Sequence, residues 1–164
     1  MGRAKAVQAE ETARRAGQGS AEVLAQLRKV PGCENLTWDD VQIASTIFAV
    51  KPGDGSAREQ AASCQRVLGA GANIVTEYAT KRYRSNLINW GMLPLQLVGA
   101  TPFGLGDYVF IPNVRAALQG DLQDIKAYVL RSDTAKEFSL YMAPLTADER
   151  KILADGCLIN FYKH

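Results

Sequence analysis

The segment Gly53-Asp54-Gly55-Ser56-Ala57-Arg58 sets a hydroxyl and a guanidinium two positions apart, where the apolar, β-branched run 43–50 gives way to the alanine-rich stretch 57–68. A strand that turns into a helix at this point is suited to an anion, because the first amides of a helix have no intrahelical acceptor and carry partial positive charge. Gly53 and Gly55 allow a sharp turn and a close approach of backbone to ligand. Arg58 can hold a carboxylate through two parallel hydrogen bonds, which a lysine cannot copy. The same residues also fit a plainer role, since Ser56 followed by Glu59 is the spacing of a capping box. No Gly-Lys-Ser/Thr follows the glycines, which counts against a nucleotide-phosphate loop.

These groups must be positioned by the elements around them. A strand over 43–50, a helix over 57–68 and a strand over 73–78 make a βαβ unit. Its crossover is expected to be right-handed, with ligands bound beyond the carboxyl ends of the strands. Helical spacing sets Ala57, Ala61, Cys64 and Leu68 on one face, and Cys64 reads as a small buried hydrophobe. A second helix over 81–90 aligns Tyr83, Leu87 and Trp90 and stops at Gly91. Its charges Lys81, Arg82 and Arg84 read as a solvated face. Asp54, beside Gly55, reads as turn chemistry, and Trp38, Trp90, Tyr78 and Tyr83 as packing residues.

Residues 8–29 read as helix, with Val23, Leu24 and Leu27 on an apolar face and Gly17-Gln18-Gly19-Ser20 as an interruption that allows either one helix or two. Thr37-Trp38-Asp39-Asp40 is a turn or cap. Short β-prone runs at 108–111, 125–130 and 138–141 suggest a smaller β layer. A closing helix spans 148–161, opened by Thr146 with Glu149 three residues on.

Composition narrows the classes. With 164 residues, 47% of them apolar, the chain is long enough for one domain with a real core. A net charge of +2 with interspersed signs recommends no nucleic-acid surface, and no apolar run is long enough to span a membrane. The charged N-terminus lacks the apolar core of a secretory signal, so the cytoplasm is the expected compartment. Cys33, Cys64 and Cys157 are odd in number and far apart, which argues against a disulfide framework and against a metal or cluster site within this chain.

Gly55-Ser56-Ala57-Arg58-Glu59-Gln60-Ala61-Ala62 resembles the Gly-Ser-Ser-Arg-Glu-His-Ala-Ala signature of the aconitase and isopropylmalate isomerase family. Tyr83-Arg84-Ser85-Asn86-Leu87-Ile88-Asn89-Trp90-Gly91-Met92-Leu93-Pro94-Leu95 is similar to that family's following helix and its Gly-x-Leu-Pro exit. The segment 145–162 resembles the last helix of long aconitases. Together the matches cover roughly 43–164.

The resemblance implies an α/β fold, the layered swivelling β/β/α domain of aconitase type, over 37–164, preceded by an N-terminal helical segment, 1–36. The chain would then be part of a larger protein or complex. It further implies a hydro-lyase that dehydrates and rehydrates a hydroxy-di- or tricarboxylate. Ser56 would be the base, and Arg58, with Gly55 and Ala57, would bind substrate. A 4Fe-4S cluster would lie outside this chain, on cluster-bearing aconitase-like domains or a partner subunit, and the isolated chain would be inactive. Two positions depart from the signature: Ala57 stands for its second serine and Gln60 for its histidine. The acidic Asp-x-x-Thr-Asp-x-Ile strand that opens the family's domain has no counterpart. These departures leave room for a different class, a non-catalytic carboxylate-binding or interaction module on the same fold.

Overall fold

The computed structural model describes residues 2–132 and 134–163, so His164, the single histidine, lies outside the described residues. Helices α1 (Gly2–Arg15) and α2 (Ala21–Leu27) come first, followed by a 3-10 turn at Trp38–Asp40. The break at 17–20 does divide the helical stretch, with Ser20 capping α2 through the Val23 amide. Asp40 accepts from the backbone N–H and the hydroxyl of Thr37, which fixes the expected turn. Glu11 fastens α1 to the approach of the first strand: its carboxylate accepts from Arg14 at 2.7 Å, Arg15 at 2.8 Å and the Ile43 amide at 2.9 Å.

Three strands, β1 (Ser45–Ala49), β2 (Ala70–Val75) and β3 (Leu93–Gln96), form a parallel sheet in the order β1-β2-β3. Helix α3 (Arg58–Val67) crosses from β1 to β2, and α4 (Lys81–Asn89) from β2 to β3. The expected βαβ unit is present, with a second one behind it, because Met92-Leu93-Pro94-Leu95 is not merely a helix exit but leads into a strand. Pro94 is tolerated there because β3 is short and pairs in parallel on one side only along its length. Gly91 ends α4 as expected, at φ +70°. β1 is shorter than the apolar run 43–50 suggests, and β2 begins and ends three residues earlier than expected, which leaves Tyr78 beyond it.

The second layer is antiparallel: β4 (Tyr108–Phe110), β5 (Ile125–Arg131) and β6 (Thr134–Leu140), in that order. Helix α5 (Val114–Gln119) intervenes between β4 and β5 and was not foreseen. A two-way backbone bridge joins the layers, Gln96 N–H to the Tyr141 carbonyl at 2.7 Å and the reverse at 3.0 Å. The closing helix is α6 (Ala147–Asp155), opened by the Thr146/Glu149 capping box as expected. Gly156 at φ +91° breaks it before α7 (Leu158–Phe161), so 148–161 is two helices.

The main core lies where the sheets meet α4 and α6, with Ile74, Leu95, Ala127, Leu140, Ile88 and Ile152 buried together. Leu27, Val30 and Cys33 form a second cluster with Tyr128 and Leu130 of β5. The helical-face assignment for α3 is corrected. Ala62 is its fully buried residue, whereas Ala57, Ala61, Cys64 and Leu68 are exposed. The spacing identified residues on one side of the helix; it could not say that this side faces water.

Candidate functional site

Parallel pairing sends β1, β2 and β3 out at the same edge of the sheet, and residues 50–57 and 76–80 emerge there side by side. The ladder continues beyond the strands: Thr76, Glu77 and Ala79 donate to the carbonyls of Ala49, Val50 and Pro52 at 3.2, 2.9 and 2.9 Å. Gly53 turns the chain at φ +97°, with its α-carbon against the Tyr83 ring. Tyr83 is buried, and its hydroxyl accepts from Asn73 at 2.9 Å and Gln65 at 2.8 Å. The amide oxygens of both partners are buried without a donor, so turning either amide over gives the phenol proton a place to go.

The four residues singled out in the loop fare differently. Gly55 is exposed, with nothing within 4 Å of where a side chain would start, so the glycine answers no packing demand there. Ser56 is exposed and its hydroxyl makes no hydrogen bond among the described residues. Ala57 is the exposed N-cap residue of α3. Arg58 opens the helix, half-buried, and its Nε donates to the Gly53 carbonyl at 3.1 Å. With Nε engaged, the Nη1/Nη2 edge is the part of the fork left to face a ligand.

The capping box suggested by Ser56 and Glu59 does not form, because the N-cap falls on Ala57, which has no side-chain acceptor. Asn86 of α4 can supply the cap instead: with its side-chain amide turned over, its oxygen accepts from the Glu59 amide at 3.0 Å and its nitrogen donates to Glu59 Oε2 at 3.3 Å. Trp90 Nε1 takes Glu59 Oε1 at 2.5 Å. Capping is thereby passed to a neighbouring helix, and the Ser56 hydroxyl is spared for other use.

Sequence reasoning missed Thr80 and Asn86. Thr80 is the N-cap of α4, accepting from the Tyr83 amide at 3.2 Å, and its hydroxyl donates to the Gly53 carbonyl at 3.0 Å. A threonine three residues before a helical tyrosine was a readable cap signal; the second bond was not, since its acceptor is 27 residues away. Lys81 and Arg82 are exposed, as a solvated face requires. Arg84 departs from that expectation, because it turns inward to donate to the carbonyls of Ala143 and Pro144. Tyr78 is half-buried against Tyr83, and its hydroxyl donates to the Leu95 carbonyl at 3.3 Å. Burial first, and Tyr83 second, push that phenol well above its ordinary range, so it stays protonated.

The site is open. Two clefts lie elsewhere, one of about 290 Å³ between Leu97–Pro102 and β6, the other of about 460 Å³ beside Glu11 and Arg14, and neither includes Ser56 or Arg58. Among the described residues no group of three or more His, Cys, Asp or Glu side chains is placed to hold a metal ion. All three cysteines are free, with Cys33 buried, Cys64 exposed and Cys157 between these extremes. These residues do not fit an iron-sulfur cluster. No helix among the described residues is long and apolar enough to cross a membrane.

The family model described as the aconitase C-terminal domain matches residues 15–99, just over half of the chain. Among solved structures, the chain is similar to a crystal structure of 3-isopropylmalate dehydratase (leuD) from Methanocaldococcus jannaschii. The identity is 29% and the TM-score 0.55, over 79% of this chain and 69% of that one. No curated protein sequence matches.

Proposed function

Since the chain belongs to the aconitase C-terminal domain family, we propose that it is the substrate-closing domain of an aconitase-like hydro-lyase acting on a hydroxy-di- or tricarboxylate. Membership supports the hydratase class; the residue roles rest on the site. The observation that carries them is the Ser56 hydroxyl, exposed and unbonded at the carboxyl edge of a parallel sheet, two residues from a guanidinium held by its Nε.

Dehydration needs a proton taken from a carbon and a hydroxyl released from its neighbour. Ser56 Oγ takes the carbon-bound proton and returns it in the reverse direction. Its alkoxide is stabilised by the start of α3 and by Arg58, and that stabilisation is large only once water is excluded. Arg58 presents Nη1 and Nη2 end-on to a substrate carboxylate, fixing the carbon acid relative to Ser56. Because the mouth is open, a second body must cover it. The partner is a cluster-bearing aconitase-like domain or subunit, and its 4Fe-4S cluster, when bound, supplies a Lewis acid for the departing hydroxyl. The isolated chain is therefore inactive, and the assembled enzyme is cytoplasmic.

The test is turnover of hydroxy-di- and tricarboxylates by the complex of this chain with its cluster-bearing partner. Ser56→Ala should lower the rate about 10²- to 10⁴-fold. It should leave the melting temperature alone, because the side chain is exposed and unbonded. Undiminished turnover removes Ser56 as base. Ala57 and Gln60 favour a second reading, a non-catalytic carboxylate-binding or interaction module, because the second signature hydroxyl is lost. Citrate binding by calorimetry, together with an inactive assembled complex, would support it.

A further inference from the structure

The Gly53 carbonyl is the point where the serine loop, α3 and α4 are tied together. It accepts from Arg58 Nε at 3.1 Å and from Thr80 Oγ at 3.0 Å, which occupies both lone pairs of the oxygen. Thr80 Oγ itself accepts from the Tyr83 amide at 3.2 Å. With the hydroxyl so oriented, its one proton is directed to Gly53. Tyr83 backs the other side of Gly53 and is held by Asn73 and Gln65. The carbonyl is therefore fixed from α4 before Arg58 uses it. Were Thr80 a cap alone, accepting from Tyr83 would suffice; the donation across 27 residues of sequence goes beyond capping.

We infer that Thr80 is a positioning residue for the Arg58 guanidinium, acting through the Gly53 carbonyl. The inference rests on the reading of Arg58 as the carboxylate-binding group. Thr80 holds the carbonyl that takes Arg58 Nε, and this aims the Nη1/Nη2 edge outward at the mouth. Without the hydroxyl proton the carbonyl is free to tilt, and Arg58 can bind side-on, end-on or not at all.

The experiment uses the full chain and two readouts: the NMR signal of Arg58 Nε–H with its exchange protection, and titration with citrate. Thr80→Val should expose the Nε–H to exchange and weaken citrate binding about five- to tenfold, the scale of one hydrogen bond. Thr80→Ser should keep both readouts at parent values. Thr146→Val, which removes the cap of α6 and a side chain that bonds only the first turn of that helix, should lower the melting temperature and change neither. Where Thr80→Val does not fold, Thr80→Asp retains an acceptor for the Tyr83 amide, has no proton for Gly53, and should also expose the Nε–H. The inference is overturned if the Thr80→Val or Thr80→Asp signal stays protected, or if Thr146→Val weakens citrate equally. Arg58→Lys with parent citrate affinity would instead remove the carboxylate reading, while the Nε–H signal still decides what Thr80 does.

Discussion

Replacing Gly53 with alanine probes the loop where its geometry is most constrained. Gly53 has φ +97°, a conformation that costs an L residue about 1–2 kcal/mol. The added methyl would also lie 2.5, 2.6 and 2.7 Å from three carbons of Tyr83. Tyr83 is 2% exposed and bonded to Asn73 and Gln65 through its hydroxyl, so it has little room to retreat. Overpacking of this kind adds about 1–3 kcal/mol, for a total of roughly 2–5 kcal/mol. In a domain of this size that lowers the melting temperature by roughly 5–20 °C. Gly55→Ala is the internal control, since Gly55 has no positive φ and open space around it. It should be neutral or stabilising by up to about 1 kcal/mol. Melting by calorimetry and hydrogen exchange across 50–58 read both variants. If Gly53→Ala melts within about 2 °C of the parent, well below the smallest shift expected here, and its exchange pattern is unchanged, the claim that Tyr83 shapes this loop is wrong.

Three further outcomes are expected. Burial would raise the Glu11 carboxyl, but the Arg14 guanidinium, the Ile43 amide and Arg15 outweigh it and bring it from 4.5 down to about 2. A depressed folded value stabilises fully above pH 4.5 and is lost as pH falls towards 2. Urea unfolding at stepped pH should therefore show a loss on the order of 1–2 kcal/mol that Glu11→Gln abolishes. Gly91→Ala would place a methyl 1.6 Å from the Gly156 carbonyl oxygen at φ +70°, and should cost about 3 kcal/mol or more by urea midpoint, or prevent folding. With a thiol reagent and mass spectrometry, exposed Cys64 should label in the native chain. Cys33, which burial first and Glu34 second push upward, should label after unfolding.

The sequence determined what local physics decides. Thr146 with Glu149 had to start a helix and Gly91 had to end one, because caps and glycine conformations are settled within a turn of chain. The signature around Ser56 and Arg58 was legible for the same reason, as was the βαβ unit that carries it. Tertiary structure decided which face of α3 met the core, since its apolar residues are Ala61, Ala62, Cys64 and Val67, and spacing alone did not single out Ala62 among them as the buried one. It also decided that Ser56 would not cap α3, because the competing acceptor, Asn86, comes from another helix. The double use of Thr80 was hidden for the same reason. A hydroxyl's partners within three residues can be read from spacing, but an acceptor 27 positions away exists only once the parallel strands have brought the two loops together.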